Sequence, residues 1–244
     1  MAEGETELAM FIDYDNLLPT QKQTGILDIV RRALFGLPLE PVSRRAKCSV
    51  RIYGGWYEVT QITRLAQDVT VEIQRDFPAV IRVPSGLEGS PVSISATAEL
   101  AVALLQEPGH HMFNTYRRKG KPANVRVTAP CDVGCSETDC VLPLMKKLLR
   151  NGTCPKAGCM ITTTDHLVYR HEQKIVDSLL CCDLIHAAKG QLAKIILLSG
   201  DDDFLPPLRT VLLGGRAAVR YHPKPNTPRA SFPQGGVQLL ELEL

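Results

Sequence analysis

Acidic side chains follow two aliphatic segments that lie far apart in the sequence. The segment "AMFID" ends at Asp13, with Asn16 soon after it, and "IILLSGDDD" ends in the run Asp201–Asp203. Adjacent carboxylates repel one another unless a cation or shared protons relieve the repulsion. All-oxygen ligands suit Mg²⁺ or Mn²⁺, so these residues favour a divalent-metal site. The alternative is that they are ordinary turn and helix-capping residues.

The segments around these acids alternate between strand and helix patterns. Strands are predicted at "ELAMFID", "CSVRIYGG", "AVIRVP", "AKIILLS" and "RAAVRYH", with "GVQLLELEL" as an edge strand. Helices are predicted at "GILDIVRRALFG", at residues 62–73 with Thr60 as the N-cap, and at "ATAELAVALL", "VLPLMKKLLR", "EQKIVDSLLCCDLIHAA" and "DFLPPLRTVLLGG". This alternation predicts an α/β fold with a mostly parallel sheet, whose sites lie beyond the carboxyl ends of the strands.

Composition limits the class of protein. The chain has 244 residues, of which 44% are hydrophobic, and a formal net charge of +2. That is enough apolar material for one large core and too little charge to indicate a general polyanion binder. No apolar run approaches the roughly 18–20 residues needed to span a bilayer. With no signal-peptide pattern in "MAEGETEL", we expect a cytoplasmic protein without a membrane partner.

Three motifs carry a resemblance to a known family. "FIDYDNL", "KIVDSLLCCDLI" and "LLSGDDDFLPPL" resemble, in this order, the three motifs of the NYN domain, a branch of the PIN-like nucleases. "VRIYGGWYE" is similar to the family's second strand. The resemblance covers roughly residues 8–75 and 170–222 and leaves the middle of the chain unmatched. It implies a PIN-like three-layer α/β/α fold and divalent-metal-dependent cleavage of RNA.

The resemblance also implies roles for individual residues. Asp13 matches the first catalytic aspartate and Asn16 its polar companion. Asp177 matches the middle acid, and Asp201 and Asp203 match the acids of the last motif. All four aspartates would bind Mg²⁺ or Mn²⁺. The metal would activate a water for phosphodiester hydrolysis.

Two further aspartates are treated differently. Asp202 falls at a variable position of the last motif, so we expect it to be a bystander or a helix cap. Asp183 lies six residues after Asp177, about 600° around a helix, so the two side chains point in different directions. We favour Asp177 for the metal and a supporting or surface position for Asp183.

Two other functions stay open at this point. One is a PIN-like module that has lost catalysis and serves as an RNA-binding or scaffolding subunit. The other is an Asp-dependent phosphatase of the haloacid dehalogenase type, because "DYD" at Asp13–Asp15 matches the spacing of that nucleophile loop. The Asn16 and Val-Asp matches favour the nuclease.

Basic residues are candidates for contacts with RNA phosphates. Arg117, Arg118, Lys119 and Lys121 form a run without an acid, which indicates either phosphate binding or a solvated loop. Lys174, one turn before Asp177, has the same two interpretations.

Aromatic residues follow the second predicted strand. Tyr53, Trp56 and Tyr57 would either line a substrate groove or pack against a neighbouring helix.

Five cysteines lie close together in the middle of the chain: Cys131, Cys135, Cys140, Cys154 and Cys159. This density favours structural zinc, but the spacings lack the paired x2 pattern of a zinc ribbon. The alternative is a set of small apolar residues.

The middle of the chain is predicted to be an insertion. We expect one NYN-like domain over 1–244, with a basic loop and a cysteine-rich segment inserted at 107–160. The insertion is our candidate for a specificity element, an oligomer contact, a lid or a device that controls activity. The partners expected besides RNA are a second copy of the chain, in a homo-oligomer, or a regulatory protein.

Overall fold

The protein is described here by a computed structural model, which covers the chain except residues 1–5, 39–44, 85–90, 120–137, 152–156, 158–169, 193 and 226–238. The chain divides into two compact units, the first comprising Met1–Thr115 with Lys174–Leu244 and the second Tyr116–Gln173. The second unit therefore occupies 116–173, whereas the sequence placed the insertion at 107–160.

The first unit contains most of the regular structure. Its strands are β1 (Thr6–Asp13), β2 (Arg45–Tyr53), β3 (Tyr57–Glu58), β4 (Gln61–Ile62), β5 (Ala79–Val83), β6 (Val92–Leu100), β7 (Ala103–Leu104) and β8 (Glu107–His111). The second unit then contributes β9 (Tyr116–Lys119) and β10 (Arg170–Gln173), and the first unit resumes with β11 (Lys194–Leu198), β12 (Ala218–His222) and β13 (Leu240–Glu243). The helices are α1 (Pro19–Thr24), α2 (Ile26–Phe35), α3 (Arg64–Asp76), α4 (Leu142–Asn151), α5 (Val176–Ala187) and α6 (Leu205–Leu213), with α4 in the second unit.

A seven-stranded sheet forms the centre of the first unit, in the order β13-β12-β11-β1-β2-β6-β5. Every pair in it is parallel except β5 and β6. The predicted α/β class with a mostly parallel sheet is confirmed, and the last predicted strand does lie at an edge. Among the described residues, no helix is long and apolar enough to cross a membrane.

The sheet is covered by helices on both faces. Met10 and Ile12 of β1 belong to one apolar cluster with Ile29 of α2. Phe11, between them in sequence, belongs to a second cluster with Leu180 of α5 and Leu208 of α6. Successive side chains of a strand point to opposite faces, so β1 contributes to both cores. This arrangement is compatible with a three-layer α/β/α fold.

The predicted helix at "ATAELAVALL" is wrong, because residues 96–100 lie in strand β6 and residues 103–104 form strand β7. Ile94 and Ala96 are buried, while Ser95 and Thr97 are exposed, which is the two-residue period of a strand with one solvated face. β6 gains a full ladder with β2, and this pairing outweighs the helical preference of its alanines.

Two helix starts also differ from the predictions. Thr63, and not Thr60, is the N-cap of α3, because its hydroxyl accepts a hydrogen bond from the backbone N–H of Ala66 at 3.2 Å. Helix α5 begins at Val176, because Arg170–Gln173 forms β10.

The second unit contains an antiparallel pair of strands, β9 and β10, and the predicted helix α4. Cys131, Cys135, Cys154 and Cys159 lie outside the described residues. The zinc hypothesis therefore stays a prediction.

Candidate active site

The carboxyl ends of β1 and β11 are joined by hydrogen bonds between the first and last motifs. These strands are parallel neighbours, with Ile12 opposite Leu198. The Ser199 hydroxyl donates to Asp13 Oδ2 at 2.8 Å, and the backbone N–H of Gly200 donates to Asn16 Oδ1 at 3.1 Å. Asn16 is thus a positioning group that ties the β1 end to the turn after β11.

The turn after β11 is fixed by its own aspartates. The backbone N–H of Asp201 donates to the Ser199 hydroxyl at 3.1 Å. Asp201 Oδ1 in turn accepts from the backbone N–H of Asp203 at 2.9 Å, which makes Asp201 the cap of a short 3₁₀ helix at Asp202–Phe204. The cap of this turn is therefore Asp201.

Asp202 is not the cap of this turn but has an ion-pair partner of its own, and its expected lack of a role at the metal stays a prediction. Its Oδ1 accepts from Arg220 Nη2 at 2.9 Å, although 69% of the Asp202 side chain is exposed. The arginine reaches this position from β12, a strand that the local pattern around Asp202 does not reveal.

Arg220 is completely buried and holds several groups at once. Its Nε donates to the carbonyl oxygen of Ser199 at 3.0 Å, and its Nη1 donates to Glu241 Oε1 at 3.3 Å. Glu241, on β13, also lies 3.1 Å from His222 Nε2. No positioning role for Arg220 was predicted from the sequence. The signal was an arginine inside an otherwise apolar strand.

The carboxylates of the three motifs act on one another electrostatically. Burial raises the pKa of Asp13 to about 6; the hydrogen bond from Ser199 opposes this shift, and the charges of Asp177 and Asp15 add to it. Asp177 is exposed in the first turn of α5. Its pKa is raised by desolvation and then by the charges of Asp201 and Asp203. The structure therefore brings these predicted acids to the carboxyl ends of the central strands. The group formed by Asp13, Asp177, Asp201 and Asp203 is called the acid edge below.

A divalent ion suits this set of groups in chemistry but not in geometry. The donors are carboxylate oxygens, which hard cations prefer. However, the described part of the chain contains no group of three or more His, Cys, Asp or Glu side chains close enough to hold a metal ion. To bind one, the carboxylates would have to approach one another more closely than they do here.

Asp183, on the same helix as Asp177, has a separate and complete set of partners. Its side chain is fully buried. It accepts from the Tyr53 hydroxyl at 2.7 Å and from the backbone N–H of Leu105 at 2.8 Å, and Arg51 Nε lies 3.5 Å away. Asp183 therefore has a supporting position and is not a surface residue.

The predicted aromatic residues are divided between core and surface. Tyr53 and Trp56 are buried, and Trp56 Nε1 donates to the carbonyl oxygen of Ile52 at 3.0 Å. Both residues pack in the interior rather than line a groove. Tyr57 is half-buried, and its ring centre lies 5.1 Å from that of Phe113 and 6.4 Å from that of His111. Neither of these two neighbours was singled out from the sequence.

The predicted basic residues are distributed over both units. Lys174 is exposed in the first unit, and its backbone N–H donates to the carbonyl oxygen of Thr115 at 2.9 Å. Arg117, Arg118 and Lys119 lie on β9 of the second unit, where Arg117 is opposite Glu172. Lys121 lies outside the described residues.

In the comparisons with known proteins, no family model matches this sequence, and neither a curated protein nor a solved structure shows significant similarity to it.

Proposed function

We propose that this protein is a divalent-metal-dependent endoribonuclease whose active site lies at the carboxyl ends of β1 and β11. The observation that carries the proposal is the convergence of Asp13, Asp177, Asp201 and Asp203 from three separate segments. The charge of Asp177 helps to raise the pKa of Asp13, and the charges of Asp201 and Asp203 help to raise the pKa of Asp177. The three NYN-like motifs supply these same residues. Mutual repulsion of this kind is relieved by a bound cation.

The residues of the chain have distinct roles in this proposal. Asp13, Asp177, Asp201 and Asp203 would hold Mg²⁺ or Mn²⁺, which when bound lowers the pKa of a water and stabilises the charge that develops on phosphate. Ser199 orients the Asp13 carboxylate, and Asn16 holds Gly200 beside it. Lys174 is a candidate for a phosphate contact.

A second candidate is an RNA-binding or scaffolding subunit without catalytic activity. It is favoured by one observation, that the described acids do not form a metal-holding group as they stand. The two candidates agree on RNA as the partner and differ in whether the acid edge binds metal.

Cleavage assays distinguish these functions. Purified protein is incubated with labelled single-stranded and structured RNA and with Mg²⁺ or Mn²⁺, beside Asp13→Asn, Asp201→Asn and the neighbouring control Asp202→Ser. We expect Asp13→Asn and Asp201→Asn to reduce the cleavage rate by about 10²–10³-fold, the usual effect of losing one preorganised electrostatic group. Asp202→Ser should stay within about fivefold of wild type, since its exposed ion pair contributes little.

Each other outcome has a defined meaning. Cleavage that survives both asparagine substitutions would exclude this site. RNA binding without cleavage by wild type would support the scaffold, and hydrolysis of a small phosphate monoester alone would support the phosphatase.

A further inference from the structure

An exposed cluster of three aromatic rings lies in the first unit. Tyr57, His111 and Phe113 contact one another, with ring centres 5.1 Å apart for Tyr57 and Phe113 and 6.0 Å apart for His111 and Phe113. Phe113 is 46% exposed, and His111 is also exposed. Exposure of a large apolar ring to water is unfavourable in free energy, and a bound ligand that covers the ring would reduce this cost.

The cluster is connected to the acid edge by a short stretch of chain. Tyr57 follows the carboxyl end of β2, and β2 is the parallel neighbour of β1, with Tyr53 opposite Asp13. In the turn between them, the ring centre of Trp56 lies 5.7 Å from that of Tyr14, the residue that follows Asp13. Tyr57 directly follows Trp56, so the cluster begins one residue after a side chain that packs against the end of β1.

Hydrogen bonds hold the cluster in place. The backbone N–H of Tyr57 donates to the Thr115 hydroxyl at 3.0 Å, and the backbone N–H of Asn114 donates to the carbonyl oxygen of Val59 at 2.7 Å. These bonds fix the segment that carries Phe113 against the segment that carries Tyr57. The surface is therefore largely ordered before any ligand binds, which reduces the entropic cost of binding.

We propose that this cluster is a stacking site for unpaired bases of a single-stranded RNA that crosses the acid edge. None of the three rings carries a fixed positive charge, so the contact would be to base faces and not to phosphates. Every nucleobase offers such a face when it is unpaired, and a duplex covers it. The proposal rests on the proposed function for the choice of RNA and extends it by a base-stacking contact outside the acid edge.

Binding without turnover tests this idea separately from catalysis. Anisotropy is measured in EDTA with a labelled single-stranded RNA of about twelve nucleotides, a matched hairpin and the DNA of the same sequence. Phe113→Ala should weaken single-strand binding about tenfold, which corresponds to the loss of one stacked base. Phe113→Leu should weaken it similarly, whereas Phe113→Trp should keep wild-type affinity.

Salt dependence and the choice of strand complete the test. Because stacking releases no counterions, Phe113→Ala should leave the slope of log Kd against log salt unchanged, and hairpin binding should not change. Equal weakening for DNA would confirm base stacking without selection for ribose.

Three results would overturn the proposal: wild-type affinity in Phe113→Ala, normal binding by Phe113→Leu, or no single-strand binding by wild type. Normal binding by Phe113→Leu would indicate a merely apolar contact, as with a protein partner. Cleavage is measured with metal in Asp201→Asn and single-strand binding in EDTA in Phe113→Ala, so the two proposals are tested by separate measurements.

Discussion

Two aspartates on one helix, Asp177 and Asp183, have opposite surroundings. Asp183 is fully buried and receives hydrogen bonds from Tyr53 and Leu105, with Arg51 beside it. Asp177 is exposed at the first turn, and the charges that shift its pKa are those of Asp201 and Asp203. Burial therefore does not single out the acid of this helix that we propose to bind metal. Asp177 is singled out instead by neighbours of like charge, whose repulsion a bound cation would relieve.

The largest expected effect on stability is at Asp183. Asp183→Ala leaves the Tyr53 hydroxyl and the Leu105 N–H without their acceptor and removes the charge beside Arg51, which keeps Glu99 and the carbonyl oxygen of Ala103. The free energy of unfolding should fall by about 3–5 kcal/mol, as for the loss of one partner in a buried charged network. Asp177→Ala, the matched substitution on the same helix, should change it by less than about 0.5 kcal/mol. Urea unfolding in EDTA measures both values. Equal losses of unfolding free energy in the two variants would contradict the predicted difference between Asp183 and Asp177.

A second prediction concerns the pH dependence that Asp13 imposes. Its pKa is raised from 3.8 to about 6 in the folded protein, so the folded state binds more protons than the unfolded state between those values. Stability from this group is therefore complete below about pH 4 and is lost as pH rises through 6, by up to about 3 kcal/mol.

Asp13→Asn should remove this loss, because the amide oxygen can still accept from Ser199 without carrying charge. Urea unfolding of wild type and variant in EDTA between pH 4 and 8 gives the difference. A difference that does not grow with pH would contradict the raised pKa.

The third prediction asks whether a cation is the missing partner of Asp177. Mn²⁺ at about ten times its dissociation constant should stabilise wild type by about 1.4 kcal/mol. This gain should largely disappear in Asp177→Ala. Asp202→Ser, which alters a nearby acid with its own cationic partner, should keep the gain. Thermal unfolding with and without Mn²⁺ measures it, and an equal gain in all three proteins would show that the ion binds elsewhere.

The smallest effect is expected at Asp202 itself. Asp202→Ser removes an ion pair in which Arg220 is buried and Asp202 is 69% exposed. Arg220 keeps Glu241 and the Ser199 carbonyl, so the unfolding free energy should fall by about 1 kcal/mol or less. A loss as large as that of Asp183→Ala in the same urea assay would mean that Asp202 is an essential part of the Arg220 network.

Local patterns were sufficient to predict the strands that present the acids. Residues 8–12 of β1 and 195–198 of β11 are apolar because both faces of these strands are buried; β1 ends at Asp13 itself, and β11 ends three residues before Asp201. The same reasoning failed at β6, where an alanine-rich segment is compatible with a helix until its pairing with β2 is known.

Long-range contacts at the site could not be predicted in the same way. Arg220 reaches Asp202 and Ser199 because β12 lies beside β11. The order of the strands in the sheet cannot be predicted from the sequence of either strand alone. The aromatic cluster likewise depends on Phe113 returning to Tyr57 across a stretch without a regular pattern. The resemblance to NYN motifs selected the acids but contained no information on these partners.

The hydrogen bond between Ser199 and Asp13 joins residues 186 positions apart in the sequence. Contacts between residues so far apart in sequence form late in folding. The intervening chain loses conformational entropy when its ends come together, and the contact offsets that loss only after it has formed. A partly folded or truncated chain would therefore carry its aspartates apart from one another. If the protein is a nuclease, the slow closure of this central sheet also delays the appearance of activity until the fold is complete.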